Sequence, residues 1–157
     1  MTANPYGADL GTRDPLEALA ETPRRIYMHV ERWGDDHFER TYAPGKWSAR
    51  RILIHLAQTE LALPIRARFA LTTPNYAAQA FDQDQWLPLD DAAEARVALD
   101  TYTTLRRFNL AMWRTLTAEQ RDRPFTHPEY GTLNVGWIQA QMAGHDIHHL
   151  KQLEQIK

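Results

Sequence analysis

From Ala95 to Leu116 apolar residues return every three or four positions, as Ala95, Ala98, Tyr102, Leu105, Phe108, Met112 and Leu116, in a stripe about six turns long. No alternating apolar and polar pattern of comparable length occurs in the 157 residues, so the chain must bury its apolar surface by packing helix on helix. Three further segments carry the same period. Asp14-Pro15 and Thr22-Pro23 each read as an N-cap followed by a first-turn proline, which predicts a short helix and then a longer one bearing Ile26, Val30 and Trp33. Ser48 caps the next, with Ile52, Leu56, Thr59, Leu63 and Ala70 on one side and Pro64 inside the pattern, where it should kink or split the helix. Asp90 or Asp91 suits the cap of the third, and Thr132 or Asn134 the start of the fourth.

Residues 72–89, TTPNYAAQAFDQDQWLPL, read as one long connection. The expected architecture is therefore all-α: an antiparallel four-helix bundle with a long crossover between helices 2 and 3. One domain over residues 1–157 is expected, with residues 1–13 as a polar lead-in.

Composition narrows the chemistry. Lys and Arg total 18 against 20 Asp and Glu, a formal net charge of −2, so the basic surface that nucleic acid requires is not expected. With no cysteine, disulfides, thiolate ligands and thiol nucleophiles drop out together, and any metal must be held by nitrogen and oxygen. The start of the chain lacks an apolar signal region, and no stretch approaches the roughly 18 apolar residues of a membrane span, which predicts a cytoplasmic protein without membrane attachment.

In the last helix the stripe of Ile138, Met142 and Ile156 is interrupted by His145 and His149, which stand at about −20° and 20° from Ile138 at 100° per residue. Two imidazoles one turn apart on a buried face cost free energy unless each finds a partner, and a metal cation suits this spacing best. A third ligand is needed, and His55, about 60° from Ile52 at the edge of the second helix's buried face, is the best candidate. His148 lies about 80° off the axis and reads as a surface or supporting group, while His29, His37 and His127 are poorer candidates. Three histidines without a fourth protein ligand leave one coordination position open.

The same residues carry a family resemblance. KWSARRILIHLAQTE is similar to the W-S-x-x-x-[ILV]-L-x-H-L segment of the DinB/YfiT-like superfamily of metal-binding four-helix bundles, and GHDIHHLKQLEQI resembles its H-D-x-H-H-L-x-Q-[IL] segment. HPEYGTLNVGWI resembles the connection before the family's last helix, and the likeness spans residues 14–156. The resemblance implies that the ligands are His55, His145 and His149 and that the cofactor is a divalent ion; imidazole donors suit zinc, nickel, iron and copper alike, with zinc or nickel expected first and iron next. It also implies a metal-dependent hydrolase or a low-molecular-weight-thiol S-transferase acting on a small molecule, with no catalytic residue assigned.

A non-catalytic bundle, in which metal or apolar faces serve structure, ligand binding or dimerisation, is the competing expectation, and a homodimer is expected under either reading. Thr59, Gln141 and Gln152 lie within a turn of proposed ligands, where they suit orienting an imidazole or water. The aromatics Trp47, Trp113, Trp137, Tyr102 and Phe108 read as core, and Asp82 and Asp84 as turn formers. Trp86 suits either the rim of a pocket or a loop anchor. Arg50, Arg51, Arg66 and Arg68 read as a solvated helix face.

Overall fold

The computed structural model describes residues 2–157. Four long helices form the bundle: α2 (Pro15–Val30), α4 (Ala49–Thr72), α6 (Ala95–Thr115) and α8 (Val135–Leu153). Short helices α1 (Gly7–Leu10), α3 (Asp35–Phe38), α5 (Gln83–Trp86) and α7 (Ala118–Arg121), a 3₁₀ turn over Leu87–Asp90, and the strands β1 (Pro124–His127) and β2 (Gly131–Asn134) fill the connections. Predicted caps form at three starts: Asp14, Ser48 and Asn134 accept from the backbone N–H of Glu17, Arg51 and Trp137. At α6 the start falls later, after Glu94, because Asp90 and Asp91 are engaged elsewhere, Asp90 with Gln58 and Asp91 with Arg50 and Arg51.

The crossover over residues 73–94 lets α4 and α6 run side by side in the same direction: Arg51 meets Asp91, Glu60 meets Arg106 and Arg68 meets Asn109. Two apolar clusters fill the interior, one around Leu19, Leu63, Trp113 and Met142, the other around Ile26, Ile52, Leu99 and Leu153. Among the described residues no helix is long and apolar enough to cross a membrane.

Neither internal proline breaks its helix. Pro23 lies inside α2 rather than dividing it in two, and Pro64 lies inside a continuous α4. A proline cannot donate to the carbonyl four residues back, which orphans Leu19 O and Glu60 O. Both carbonyls find donors on α6: Arg106 Nη1 donates to Leu19 O at 3.0 Å, and Asn109 Nδ2 to Glu60 O at 3.2 Å. Helical breaks are avoided because a neighbouring helix supplies what the prolines cannot.

These contacts also correct the phase of the α6 stripe. Arg106, Asn109 and Trp113 are buried, whereas Phe108 is 68% exposed beneath the Arg68 guanidinium and Leu105 and Met112 are half-buried. Polar residues that face inward to meet Glu60 are indistinguishable in a hydropathy pattern from residues facing water.

Two expectations about the connections are revised. Residues 124–134 form an antiparallel hairpin, Phe125 opposite Leu133 and His127 opposite Gly131, although strands of four residues leave no readable alternation. Gly131 turns the chain at φ +70°, and alternation along β1 points Phe125 and His127 to the same buried side. The N-terminal segment is also more than a polar lead-in. Its Tyr6 lies against Gly144 of α8, where a Cβ would stand 2.4 Å from Tyr6 O, so only glycine admits it.

Arg106 joins all four long helices, donating to Leu19 O, to Glu60 at 2.8 Å through Nε and to Asp146 at 2.6 Å. Removing it leaves two buried carboxylates unpaired. Arg106→Met should therefore destabilise the fold by about 3–5 kcal/mol in urea unfolding, and a midpoint equal to the parent's would contradict this role.

Candidate metal centre

Helices α4 and α8 bring His55, His145 and His149 to one buried point, with one ligating nitrogen of each within 4.8 Å of the others. Among the described residues this is where three such groups meet, and no Asp or Glu joins them. His145 Nε2 lies 2.7 Å from His55 Nε2 and 3.1 Å from His149 Nε2. Trp47 flanks the centre at 5.1 Å from the His55 ring and is half-buried rather than core, while Tyr6 packs edge-on against His145 at 5.1 Å.

Proton bookkeeping shows what the three nitrogens lack. His149 Nδ1 faces the Gln152 amide oxygen at 2.7 Å, which fixes its proton on Nδ1 and leaves Nε2 a bare lone pair. Gln152 is oriented by its own amide nitrogen, which meets the Tyr42 hydroxyl at 3.1 Å and His148 Nε2 at 3.0 Å, while His148 Nδ1 donates to Asp9 at 3.1 Å. His145 Nε2 then needs a proton to face His149 and a lone pair to receive one from His55. One nitrogen cannot supply both, so the two contacts cannot both be ordinary hydrogen bonds. A cation at this point satisfies all three lone pairs, and nitrogens at about 2.0–2.1 Å from one tetrahedral ion would lie about 3.3 Å apart.

Burial enforces the neutral forms that ligation requires. It lowers the pKa of His55 to about 2, with the neighbouring His145 adding to the effect. His149 is lowered well below 6.5 by burial and then by His145 and His55.

Behind His145 stands an imbalance of charge. Glu60 and Asp146, both fully buried, share the single Arg106 guanidinium, two carboxyl groups against one cation. Burial raises the Asp146 carboxyl, but the Arg106 charge and hydrogen bond, together with the neighbouring His145, more than reverse this and hold it below its ordinary value. Tyr102 donates to Asp146 Oδ2 at 2.9 Å, whereas Asp146 Oδ1 is without a hydrogen-bond partner and lies 3.9 Å from the equally unpartnered His145 Nδ1. A buried negative excess beside three converging imidazole nitrogens is the electrostatic complement of a divalent ion.

The centre borders a cavity of about 290 Å³ lined on the near side by His55, His145, Thr59 and Gln141 and on the far side by Arg66, His127 and Tyr130. Thr59 Oγ1 and Gln141 Oε1 are buried without partners, in keeping with the orienting role expected of them. Gln152 and His148 stand on the opposite side of His149 and fix its tautomer.

Other expectations sort clearly. His29 bonds Leu153 O and His37 stacks on Trp33, both away from the centre. His127, passed over as a residue of a polar connection, is buried and lines the cavity. Arg66 is only 7% exposed rather than part of a solvated face. Asp82 caps α5, and Trp86 combines both suggested roles, its carbonyl held by Gln58 and its ring packed on Phe81 beside a second groove of about 450 Å³. Glu60 and Arg106 were not foreseen, and Tyr102 was expected only as core; for Glu60 and Arg106 the two helix-internal prolines were the available signal.

Comparison with known proteins gives the family and the fold. A family model described as the DinB superfamily matches residues 18–153. A protein of Oceanobacillus iheyensis named "Putative metal-dependent hydrolase" is 26% identical over 147 residues, covering 88% of this chain and 85% of its own. YfiT of Bacillus subtilis, similarly named, is 28% identical over 144 residues, covering 88% of this chain and 81% of its own. Its solved structure, described as having "an unusual four-helix bundle topology", superposes with a TM-score of 0.83 at 26% identity over 90% of this chain and 83% of that one.

The depressed histidines give the metal-free protein a defined pH dependence. His55 and His149 are neutral in the fold and take up protons on unfolding below about pH 6.5. Their contribution is complete above that pH and is lost as pH falls toward the folded values, at up to about 1.4 kcal/mol per pH unit for each imidazole. Urea midpoints between pH 7.5 and 5 should therefore drop steeply, and His149→Leu should reduce the slope by one proton; an unchanged slope would refute the assignment.

Proposed function

The chain belongs to the DinB superfamily, and on that footing we propose that it is a metal-dependent enzyme, a hydrolase in the first instance, whose divalent ion is held by His55, His145 and His149 with one position open to the cavity. The observation that carries the reading is the proton deficit among the three converging nitrogens. When bound, such an ion supplies Lewis acidity, lowering the pKa of a water or thiol and offsetting negative charge that develops on a substrate. Imidazole donors suit zinc and nickel, with iron a third candidate.

The chain's own residues do the rest. Gln152 holds the His149 ring with its Nε2 lone pair inward, and Asp146 sets a negative charge behind His145. Thr59 and Gln141 offer a hydroxyl and an amide oxygen, both without protein partners, to position a water or substrate polar group beside the centre. Tyr6 and Phe81 supply aromatic walls to the same cavity.

Thiol transfer is the second reading; with no cysteine in the chain, its thiol nucleophile would arrive with a cosubstrate. It separates from hydrolysis by whether turnover requires added thiol. A purely structural metal is disfavoured by the three-ligand set and the adjoining cavity, because structural ions are ordinarily enclosed by four protein ligands.

Protein without an affinity tag, dialysed against zinc or nickel, should retain about one divalent ion per chain, and His55→Ala or His149→Ala should abolish stoichiometric binding. A parent that binds no ion would overturn the proposal; an ion retained by either variant would overturn the ligand assignment.

A further inference from the structure

The bundle contains two buried arginines in opposite circumstances. Arg106 is clamped by two carboxylates that raise its pKa, whereas Arg66, 7% exposed, has no carboxylate within 4 Å among the described residues. Its recorded hydrogen bond is from Nη2 to Gln79 O at 2.7 Å. Burial lowers the pKa of this guanidinium, and Tyr76 and Glu129 only partly offset the loss of solvation. A buried cation left in this state is costly to the fold, which is the condition of a group held ready for an anion.

Position puts that anion in the cavity that the candidate centre borders. Arg66 follows His55 by eleven residues on α4, about 20° further round the helix and roughly 16 Å along its axis, and side chains lean back toward the N-terminus. Both residues line the same cavity, with Thr59 and Leu63 between them. His127 joins Arg66 there from β1. Its Nδ1 accepts the Glu129 backbone N–H at 3.2 Å, and burial followed by the nearby Arg66 charge lowers its pKa. Neutral imidazole with Nδ1 occupied as an acceptor carries its proton on Nε2, which gives the cavity a second donor.

We infer that Arg66 and His127 form the anion-binding end of the cavity and recognise a carboxylate on a small substrate whose reacting group lies toward His55 and His145. The inference rests on the proposed reading of the three histidines as the reactive end. A singly charged carboxylate fits better than a phosphate because Arg66 supplies one positive charge, His127 supplies none, and Glu129 at the rim opposes a dianion.

Calorimetric titration with benzoate and with its neutral isostere benzamide tests the subsite, using metal-loaded and metal-stripped protein. Parent protein should prefer benzoate by about tenfold or more, with the preference surviving removal of the metal. Arg66→Gln should lose that preference while holding metal as the parent does. Equal affinities in the parent, or a preference unchanged in Arg66→Gln, would overturn the inference. A preference seen only with metal present and indifferent to Arg66 would place the carboxylate on the ion, defeating the subsite while leaving the metal reading intact. Conversely, an Arg66-dependent preference in a protein that binds no metal would support the subsite and defeat the metal reading. In the parent, independently of any substitution's effect on folding, the Arg66 side-chain N–H resonance should move with benzoate and not with benzamide, and no movement would also overturn the inference.

Discussion

The Arg106 guanidinium makes hydrogen bonds to α2, α4 and α8 from its place on α6, so the relative placement of all four long helices depends on one buried cation. Its donors are matched to acceptors that the sequence makes available. Pro23 frees the Leu19 carbonyl for Arg106, and Pro64 frees the Glu60 carbonyl for Asn109. Two residues that ordinarily disrupt helices thus serve as connection points between them.

The same clasp governs the site. Glu60 and Asp146 outnumber Arg106, so the interior holds a negative excess, and Asp146 places it behind His145. Desolvation keeps His55 and His149 neutral, with their lone pairs available. Three converging imidazoles beside a net negative group form a low-dielectric pocket suited to a small dication. On the far side of the cavity the sign reverses, and Arg66 awaits a negative partner. Scaffold, candidate metal centre and proposed substrate end follow from how a few buried charges are distributed.

Much of this was legible in the chain. His145 and His149 stood out because imidazoles occupied a buried stripe one turn apart, and His55 completed the set on a second helix and in a family pattern. The bundle and its crossover followed from four periodic segments, three of them with a readable cap. What escaped had a common cause: inward-facing polar residues carry no hydropathy signal. Arg106 and Asn109 made the α6 stripe appear to pass through Phe108, and Arg66 looked like its solvated neighbours. His127 reaches the cavity through a strand too short to show its period, and Tyr6 through a close approach permitted by Gly144, a relation between distant residues that spacing alone does not encode.

The central claim is that His55, His145 and His149 share one divalent ion. Crystals of the tag-free protein, measured above and below the absorption edge of the ion found by elemental analysis, test it most directly. The account predicts one anomalous peak bonded to all three Nε2 atoms at about 2.0–2.2 Å, with its remaining position facing the cavity of Thr59 and Gln141. A peak bound elsewhere, or three histidines joined only to one another in metal-saturated crystals, would contradict it.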